Sequence, residues 1–348
     1  MPHLSVALAL PYNCPSMTLV EQAERLAHHA HAQQVRKGGH KVPYVTHLLS
    51  VADRLRRAEH DDPVLLAAAL LHDLIEDQPE HTATMRAEFP AEVVAVVELL
   101  TEVKTDAEGK RRPKAQRFAD YARGLEGDSP AHARAAIVSC ADKIDNTRSL
   151  TDNEAHGMKL LMELSTRPGQ YREQFERLRP IYARHASATL IGEFDRATEA
   201  LASLIDRWLP GRAVALASEA HLGQFDRAGE PYILHPLRLM SRAATSEERM
   251  VAVLHDVVED SSWTLAQLAT EGFSPAVLAA LDALTKRKGE SYEEFIERIA
   301  VVPLAARVKL LDLEDNLNAA RLDDFSVEDA ARIAKYLAAR RRLRRALG

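Results

Sequence analysis

The sequence has few cysteines and no long apolar run. Its 348 residues include only Cys14 and Cys140, which are too few for a disulfide framework and favour a reducing compartment. We expect Cys140 to be a small buried thiol rather than a nucleophile. No stretch approaches the roughly 20 apolar residues that a transmembrane helix needs. The apolar segment at residues 4–10 is short and follows no Lys or Arg, so it matches a signal peptide poorly. These absences predict a cytoplasmic protein with no membrane partner.

Positive charge is also in short supply. Lys and Arg number 45 against 51 Asp and Glu, which gives a formal net charge of −6 and argues against a broad nucleic-acid-binding face. An anionic substrate therefore gains little from the overall field, and its attraction must come from a bound cation and local Arg or Lys. Hydrophobic residues make up 46% of the chain, as in ordinary globular proteins, and the length allows two domains with cores.

Local patterns are helical almost throughout. A capping box at Thr18 and Glu21 predicts a helix that runs toward the glycine pair at residues 38–39. Asp62 and Pro63 have the types preferred at the N-cap and first position of a long apolar helix, which is predicted to contain His72 and Asp73. Three further capping boxes are predicted at Thr245 and Glu248, Thr264 and Gln267, and Ser291 and Glu294. No sustained alternation of apolar and polar residues competes with the helical spacing, so we predict an all-α fold.

A set of acidic residues, histidines and an asparagine occurs twice in the same order. The first set is His47, His72, Asp73, Glu76, Asp77, Asp142 and Asn146; the second is His235, His255, Asp256, Glu259, Asp260, Asp312 and Asn316. This internal repeat predicts two domains, residues 1–209 (copy one) and residues 210–348 (copy two). The boundary is expected at Pro210, after a helix over residues 189–208. Copy two is shorter, partly because it lacks a polar segment at residues 105–114, which we predict to be an exposed loop.

The residue types of the repeated set suit a metal site. Four ligands per copy are predicted: His47, His72, Asp73 and Asp142 in copy one, and His235, His255, Asp256 and Asp312 in copy two. Imidazole and carboxylate together suit Mn²⁺, Fe²⁺ or Zn²⁺. Such an ion lowers the pKa of bound water and neutralises charge on a phosphate under attack. Glu76 and Asp77, one helical turn beyond the ligand pair, are then candidates for orienting the water or moving its proton.

A structural polar network is the alternative interpretation. The chain has fifteen histidines, so a single one carries little information, and His60–Asp61 forms a third His-Asp pair in an expected loop. The joint pattern is more informative, because a charged His-Asp pair interrupts an apolar run twice and has the same companions each time. Charged residues in such runs are costly unless they are paired or coordinated. We therefore favour metal binding in both copies.

With these motifs the chain resembles the HD-domain phosphohydrolases, specifically the (p)ppGpp hydrolase branch of RelA/SpoT-type enzymes, which includes a metazoan SpoT homologue. The resemblance rests on Arg36-Lys37 before His47, on the His-Asp-x-x-Glu-Asp motif, and on Ala141-Asp142-Lys143 followed by Asn146 and Arg148. It implies two tandem HD-domain helical bundles with one Mn²⁺ in each, Zn²⁺ or Fe²⁺ being alternatives. It further implies catalytic roles for Glu76, Asp77, Glu259 and Asp260, and substrate contacts by Arg36, Lys37, Asn146, Arg148, Arg227 and Asn316. Without the resemblance, Arg36 and Lys37 would be interpreted as a cation pair at a helix C-terminus.

Both copies depart from the family pattern. Copy one has extra residues at 38–42 in its basic loop, and Leu48 stands where the family usually has Pro. In copy two Asp226 replaces the first residue of the basic pair, leaving Arg227, and Asn318 stands where Arg148 does in copy one. An acid near a phosphate site is repulsive, so these changes predict another substrate or a regulatory role for copy two.

Three functions follow from this pattern. The first is metal-dependent removal of the 3′-pyrophosphate from (p)ppGpp, mainly by copy one and without synthetase activity, since no nucleotide-synthesising domain and no P-loop is recognised. The second is removal of the 2′-phosphate from NADPH, or another nucleotide phosphohydrolase activity on the same scaffold. The third is a nucleotide-binding sensor in which copy two is non-catalytic. In each case the partner is a small nucleotide.

Overall fold

The computed structural model describes residues 17–36, 41–152, 161, 167–226, 229–317 and 327–348. Within these ranges the regular structure is helical, and the only β pairing is three isolated bridges. The predicted all-α fold is therefore confirmed. None of the helices in the described ranges has the length and apolarity required to span a membrane.

The first compact unit comprises residues 1–165 and 171–202. Its helices are α1 (Leu19–Ala30), α2 (Val45–Arg57), α3 (Pro63–Leu71), α4 (Leu74–Asp77), α5 (Thr82–Glu88), α6 (Ala91–Leu100), α7 (Lys114–Gly124) and α8 (Pro130–Thr151), with a 3₁₀ turn at Pro79–His81. Two further helices, α9 (Pro168–Ala183) and α10 (Ala188–Ala220), have residues in both units.

The second compact unit comprises residues 166–170 and 203–348. After α10 its helices are α11 (Leu234–Arg242), α12 (Ser246–Leu254), α13 (Val257–Asp260), α14 (Leu265–Glu271), α15 (Pro275–Leu284), α16 (Tyr292–Ala300), α17 (Pro303–Asn316) and α18 (Val327–Leu347). The division between the units lies at residues 202 and 203, seven residues before the boundary expected from the sequence.

The core of each unit is built around one central helix. Residues 65–71 of α3 are all buried, as expected for a helix that is apolar on every face, and α3 packs against α1, α2, α6 and α8. In the second unit α12 packs against α11, α15 and α17. The end of this central helix is therefore held between a preceding helix and a later long one in both units.

Most predicted helix starts are confirmed. Thr18 accepts a hydrogen bond from the Glu21 amide, and Asp62 caps α3 with Pro63 in its first turn. The other three capping boxes are present at α12, α14 and α16. The end of α1 was predicted too late. The helix stops at Ala30, because the chain then folds back to pair Val35 with Pro43.

Two predictions about helix continuity are wrong. His72 and Asp73 do not lie within one helix, because α3 ends at Leu71 and α4 begins at Leu74. The second unit has the same break between α12 and α13. Pro210, in contrast, does not end a helix but lies inside α10. Leu209 and Ala213 are buried on either side of it, and burial of this face outweighs the roughly 3 kcal/mol that an interior proline costs.

The segment between α6 and α7 is largely the exposed loop that was predicted. Residues 105–111 are all exposed and contain one isolated bridge, between Thr105 and Arg111. The predicted segment ends one residue into a helix, because α7 begins at Lys114. The loop follows Lys104, whose side chain reaches back toward α4. The start of the loop is therefore held next to Glu76, near the end of the His-Asp motif.

Candidate metal centres

Three separate parts of the first unit supply four converging side chains. His47 lies in the first turn of α2, and Asp142 lies in the middle of α8. His72 and Asp73 occupy the break between α3 and α4. Both residues keep right-handed helical backbone angles across the break, so their side chains diverge by about 100° and both border the same centre. The core packing of α3 against α2 and α8 brings in the other two.

The ligand atoms of these residues lie close together. His47 Nε2 is 3.2 Å from Asp142 Oδ1 and 3.7 Å from Asp73 Oδ2. His72 Nε2 is 3.0 Å from Asp73 Oδ2 and 3.6 Å from Asp142 Oδ1. His47, His72 and Asp73 form a group whose ligand atoms are all within 4.8 Å of one another. Two imidazole nitrogens and two carboxylates thus surround one point.

Both imidazoles are held in a single orientation by their other nitrogen. Nδ1 of His47 lies 2.7 Å from Asp145 Oδ2, and Nδ1 of His72 lies 2.8 Å from the Ala69 carbonyl. A proton on each Nδ1 satisfies these acceptors and leaves the Nε2 lone pair facing the centre, as in metal-bound histidines. Nε2 of His72 is buried and has no hydrogen-bond partner in the described structure. This donor set fits a divalent cation.

The charges of the centre are strongly coupled. Burial alone would lower the pKa of His72, but the carboxylates of Asp73 and Asp142 raise that pKa well above its ordinary value. Burial would raise the pKa of Asp142, but Lys143 and the two histidines hold it well below the usual range. The carboxylates are therefore ionised at neutral pH, and binding of a cation would displace protons from the imidazoles.

The second unit has a corresponding centre. His235 comes from α11, His255 and Asp256 from the break between α12 and α13, and Asp312 from α17. His235 Nε2 is 3.2 Å from Asp312 Oδ1, and His255 Nε2 is 2.9 Å from Asp256 Oδ2. Burial opposes the charge of His255, but Asp256 and Asp312 raise its pKa to about 9. All eight predicted ligands are thus brought together in two sets of four.

Asp145 was missed by the sequence analysis. It accepts hydrogen bonds from His47, from Ser50 Oγ at 2.5 Å and from Arg36 Nη1 at 2.9 Å. Burial would raise its pKa, but these partners lower it to about 2. Asp315 occupies the same place in the second unit, 2.8 Å from His235 Nδ1. The sequence did contain a signal for Asp145 and Asp315, because each follows the predicted ligand Asp of its helix by three residues.

A lysine and a tyrosine beside each centre were also missed as participants. Lys143 Nζ lies 2.8 Å from Asp142 Oδ2, and Lys309 Nζ lies 2.7 Å from Asp312 Oδ2. One lysine follows its ligand by one residue and the other precedes its ligand by three, so the sequence positions do not match although the contacts do. The Tyr44 hydroxyl donates to Asp73 at 2.5 Å, and Tyr232 donates to Asp256.

The predicted catalytic acids lie beyond the ligands and have their own partners. Glu76 accepts a hydrogen bond from the Glu102 amide and lies 3.0 Å from Lys104 Nζ. Burial raises the pKa of Glu76, and these contacts oppose the rise. Asp77 accepts a hydrogen bond from Gln34 at 2.8 Å. The two carboxylates are therefore held by different segments, one from the α6–α7 connection and one from the turn after α1.

The equivalents in the second unit are held more loosely. Glu259 accepts a hydrogen bond from the Lys286 amide at 3.1 Å. Gln224 donates to the main-chain carbonyl of Asp260 at 3.1 Å, whereas Gln34 reaches the carboxylate of Asp77. Burial raises the pKa of Asp260. The Asp260 carboxylate thus lacks the glutamine contact that its counterpart has in the first unit.

The predicted substrate-binding residues fall into three groups. Asn146 and Asn316 each donate at 2.6 Å to the ligand Asp one turn earlier, so they lie directly at the centres. Arg36 is paired with Asp145 beside His47. Arg148 lies 3.8 Å from Asp152 and lines a separate cavity with Arg54. Lys37, Arg227, the extra residues 38–40, Asn318 and Cys14 lie outside the described residues. Cys140 is buried as expected, and burial raises the pKa of its thiol.

The arginine that pairs with the buried acid, Asp145 or Asp315, comes from a different part of each unit. In the first unit Arg36, from the turn after α1, pairs with Asp145, while Ser50 is the α2 contact. In the second unit the α11 residue is Arg238, which donates to Asp315 from Nε and Nη2 at 3.0 Å each. Asp226, at the position of Arg36, contributes to raising the pKa of Arg238. The guanidinium that approaches the second centre is therefore engaged by an internal carboxylate.

Comparison with known proteins gives consistent similarities. The family model described as the HD domain matches residues 23–166. A mouse guanosine-3′,5′-bis(diphosphate) 3′-pyrophosphohydrolase is 37% identical over 133 residues, which cover 38% of this chain and 69% of the mouse protein. The human protein of the same name is 36% identical over 133 residues, with the same coverage of 38% and 69%. A Haemophilus influenzae enzyme of that activity is 35% identical over 133 residues, or 34% of this chain, and the match spans only 20% of that longer protein.

Proposed function

Because the chain belongs to the HD-domain family that contains the guanosine-3′,5′-bis(diphosphate) 3′-pyrophosphohydrolases, we propose that it hydrolyses (p)ppGpp. Water adds to the 3′-pyrophosphoryl group, the bond between the ribose 3′-oxygen and phosphorus breaks, and the products from ppGpp are GDP and pyrophosphate. The observation that carries the proposal is the convergence of two imidazole Nε2 atoms and two carboxylates in a family whose members hydrolyse this bond. We assign the reaction mainly to copy one.

We propose that His47, His72, Asp73 and Asp142 hold one divalent cation, with Mn²⁺ as the first choice and Zn²⁺ or Fe²⁺ as alternatives. His235, His255, Asp256 and Asp312 would hold another, as expected if the two sets arose by duplication. When bound, such an ion lowers the pKa of water and withdraws charge from a phosphate. The Nδ1 contacts of the histidines keep Nε2 available as a donor to it.

The protein's own groups divide the remaining tasks. Glu76 is half-buried and its pKa is raised, so it is better suited than an ordinary carboxylate to accept a proton from water. Asp77, held by Gln34, is placed to orient the water or to carry the proton to the leaving oxygen. Arg36 would exchange its contact with Asp145 for a substrate phosphate, since a guanidinium binds both kinds of oxyanion. We further propose contacts from Lys37 and Asn146 to the nucleotide.

The assignment is tested by incubating the purified chain with ppGpp and Mn²⁺ and measuring GDP and pyrophosphate. We expect release of both products in equal amounts, and a large loss of turnover after replacement of Asp73 by Asn. NADPH and other phosphorylated nucleotides in the same assay separate this substrate from the alternative ones. Absence of turnover with the first centre loaded with metal would show that the substrate assignment is wrong.

We propose that copy two binds a nucleotide without contributing most of the turnover. The support is the charge arrangement at its centre, where Asp226 stands at the position of Arg36 and Arg238 is engaged on two atoms by Asp315. A phosphate would have to displace hydrogen bonds from two atoms of Arg238, against one hydrogen bond from Arg36 to Asp145 in copy one. Equal loss of activity on disabling either centre would contradict this division. The scarcity of cysteine also leads us to propose a cytoplasmic location.

A further inference from the structure

The first unit contains an arginine-rich cavity apart from its metal centre. The cavity has a volume of about 560 Å³, which is within the range of small-molecule sites, and its lining includes Arg54, Arg57, Arg148 and Arg196. Asp152 and Glu193 are the acids among its lining residues. Positive groups thus exceed negative ones by two in a protein whose net charge is −6. This local reversal of sign favours an anionic occupant.

Two of these arginines are free to bind a ligand. Arg54 is buried and its guanidinium is engaged by Glu193, and Arg148 lies 3.8 Å from Asp152. Arg57 and Arg196 are exposed and make no hydrogen bond or ion pair within the described part of the chain. Two guanidinium groups facing one cavity without a carboxylate partner are well suited to a phosphoryl group, whose oxygens accept their paired N–H donors.

The cavity lies on a different face of α8 from Asn146, the residue proposed above to contact the nucleotide. At 100° per residue, Asn146 is about 40° around the helix from Asp142, whereas Arg148 is about 120° away in the opposite direction. Arg54 follows His47 by seven residues, or about 10 Å along α2. A ligand in the cavity therefore sits to one side of the metal ligands rather than over them.

One residue links the two places. Arg54 Nη2 is 3.9 Å from Asp145 Oδ1, and Asp145 Oδ2 is 2.7 Å from the Nδ1 of His47. We propose that the cavity is a binding site for a small phosphorylated anion that is separate from the hydrolytic centre. A bound anion would attract the Arg54 guanidinium. It would therefore affect Asp145, whose carboxylate orients His47.

The test compares two double variants of the full chain with its metal centres loaded. Arg57→Ser/Arg196→Ser removes the two unpaired cavity arginines. Arg56→Ser/Arg123→Ser is the matched control, because it removes the same charge from exposed residues that pair with Asp53 and Asp120. Inorganic phosphate is titrated into each protein by isothermal titration calorimetry, and the KM and kcat for ppGpp are measured in parallel.

We expect the wild type and the control each to bind one phosphate in the cavity. The cavity variant should bind this phosphate roughly tenfold more weakly or not at all. The KM for ppGpp should be the same in all three proteins. Equal phosphate binding by the cavity variant and the wild type, or equal loss in the control, would overturn the proposal. A raised KM with unchanged kcat in the cavity variant alone would show instead that the cavity holds part of the substrate. The phosphate titration does not depend on whether ppGpp is the substrate.

Discussion

Replacement of Asp145 by Asn isolates the contribution of a residue that binds no metal itself. Its carboxylate accepts from His47 Nδ1, Ser50 Oγ and Arg36, and its side chain is 9% exposed. Asn fills nearly the same volume and keeps one acceptor oxygen. It removes the charge that fixes the His47 tautomer and pairs with Arg36. The change therefore perturbs the orientation and basicity of His47 without removing any of the proposed metal ligands.

The size of the effect follows from these contacts. Loss of the carboxylate behind a metal-bound histidine weakens metal binding about 10- to 100-fold, which corresponds to about 1.4–2.8 kcal/mol. A hydrogen bond to a charged group contributes about 1.5–3 kcal/mol, which is the same range. We therefore expect the Kd of the first centre for Mn²⁺ to rise by one to two orders of magnitude.

Calorimetric titration of Mn²⁺ into the metal-free chain measures both centres at once. Asp315→Asn is the matched control, because it makes the same change behind His235 in the second unit. Each variant should weaken one of the two binding events and leave the other as in the wild type. If Asp145→Asn binds two ions with wild-type affinity, the assignment of Asp145 as the residue that positions His47 is refuted.

Three further predictions concern the individual centres. Asp73→Asn should lower ppGpp turnover on the order of 1000-fold, because the several kcal/mol supplied by the metal are lost, whereas Asp256→Asn should leave most turnover intact. Lys104→Met removes a contact that holds down the pKa of Glu76, so this pKa should rise further. A base must be ionised to act, and the acid limb of the pH profile of kcat/KM should therefore move to higher pH. Finally, chelation should lower the thermal stability of the chain, since a metal at 100 times its Kd stabilises the folded state by about 2.7 kcal/mol.

Each of these has an outcome that contradicts it. Comparable losses in the two Asp→Asn variants would end the division of labour between the copies. Lys110→Met, in the exposed loop, is the control for the pH profile, and an equal shift in both lysine variants would remove Glu76 from consideration. A melting temperature unaffected by chelator and by added Mn²⁺ would show that the His-Asp clusters are polar networks rather than metal sites.

The sequence by itself determined the helical class, most helix starts and the residue types of the two centres. These properties are local, because a capping box spans four residues and apolar spacing follows one helix. Repetition added more, since the same His, Asp, Glu and Asn types in the same order selected His47 and Asp142 from a chain with many other histidines and acids. The decoy pair His60–Asp61 was excluded in the same way.

Only the tertiary structure decided how these residues meet. A helix break falls at His72–Asp73, and no local pattern indicated it because both helices continue the same apolar run. Lys143 and Lys309 reach equivalent carboxylates from different sequence positions, so alignment of the repeats conceals their equivalence. Asp145 and Arg148 lie three residues apart on one helix, yet one supports a metal ligand and the other lines a cavity. The direction of a side chain depends on which helices pack around it, and those neighbours are far apart in the sequence.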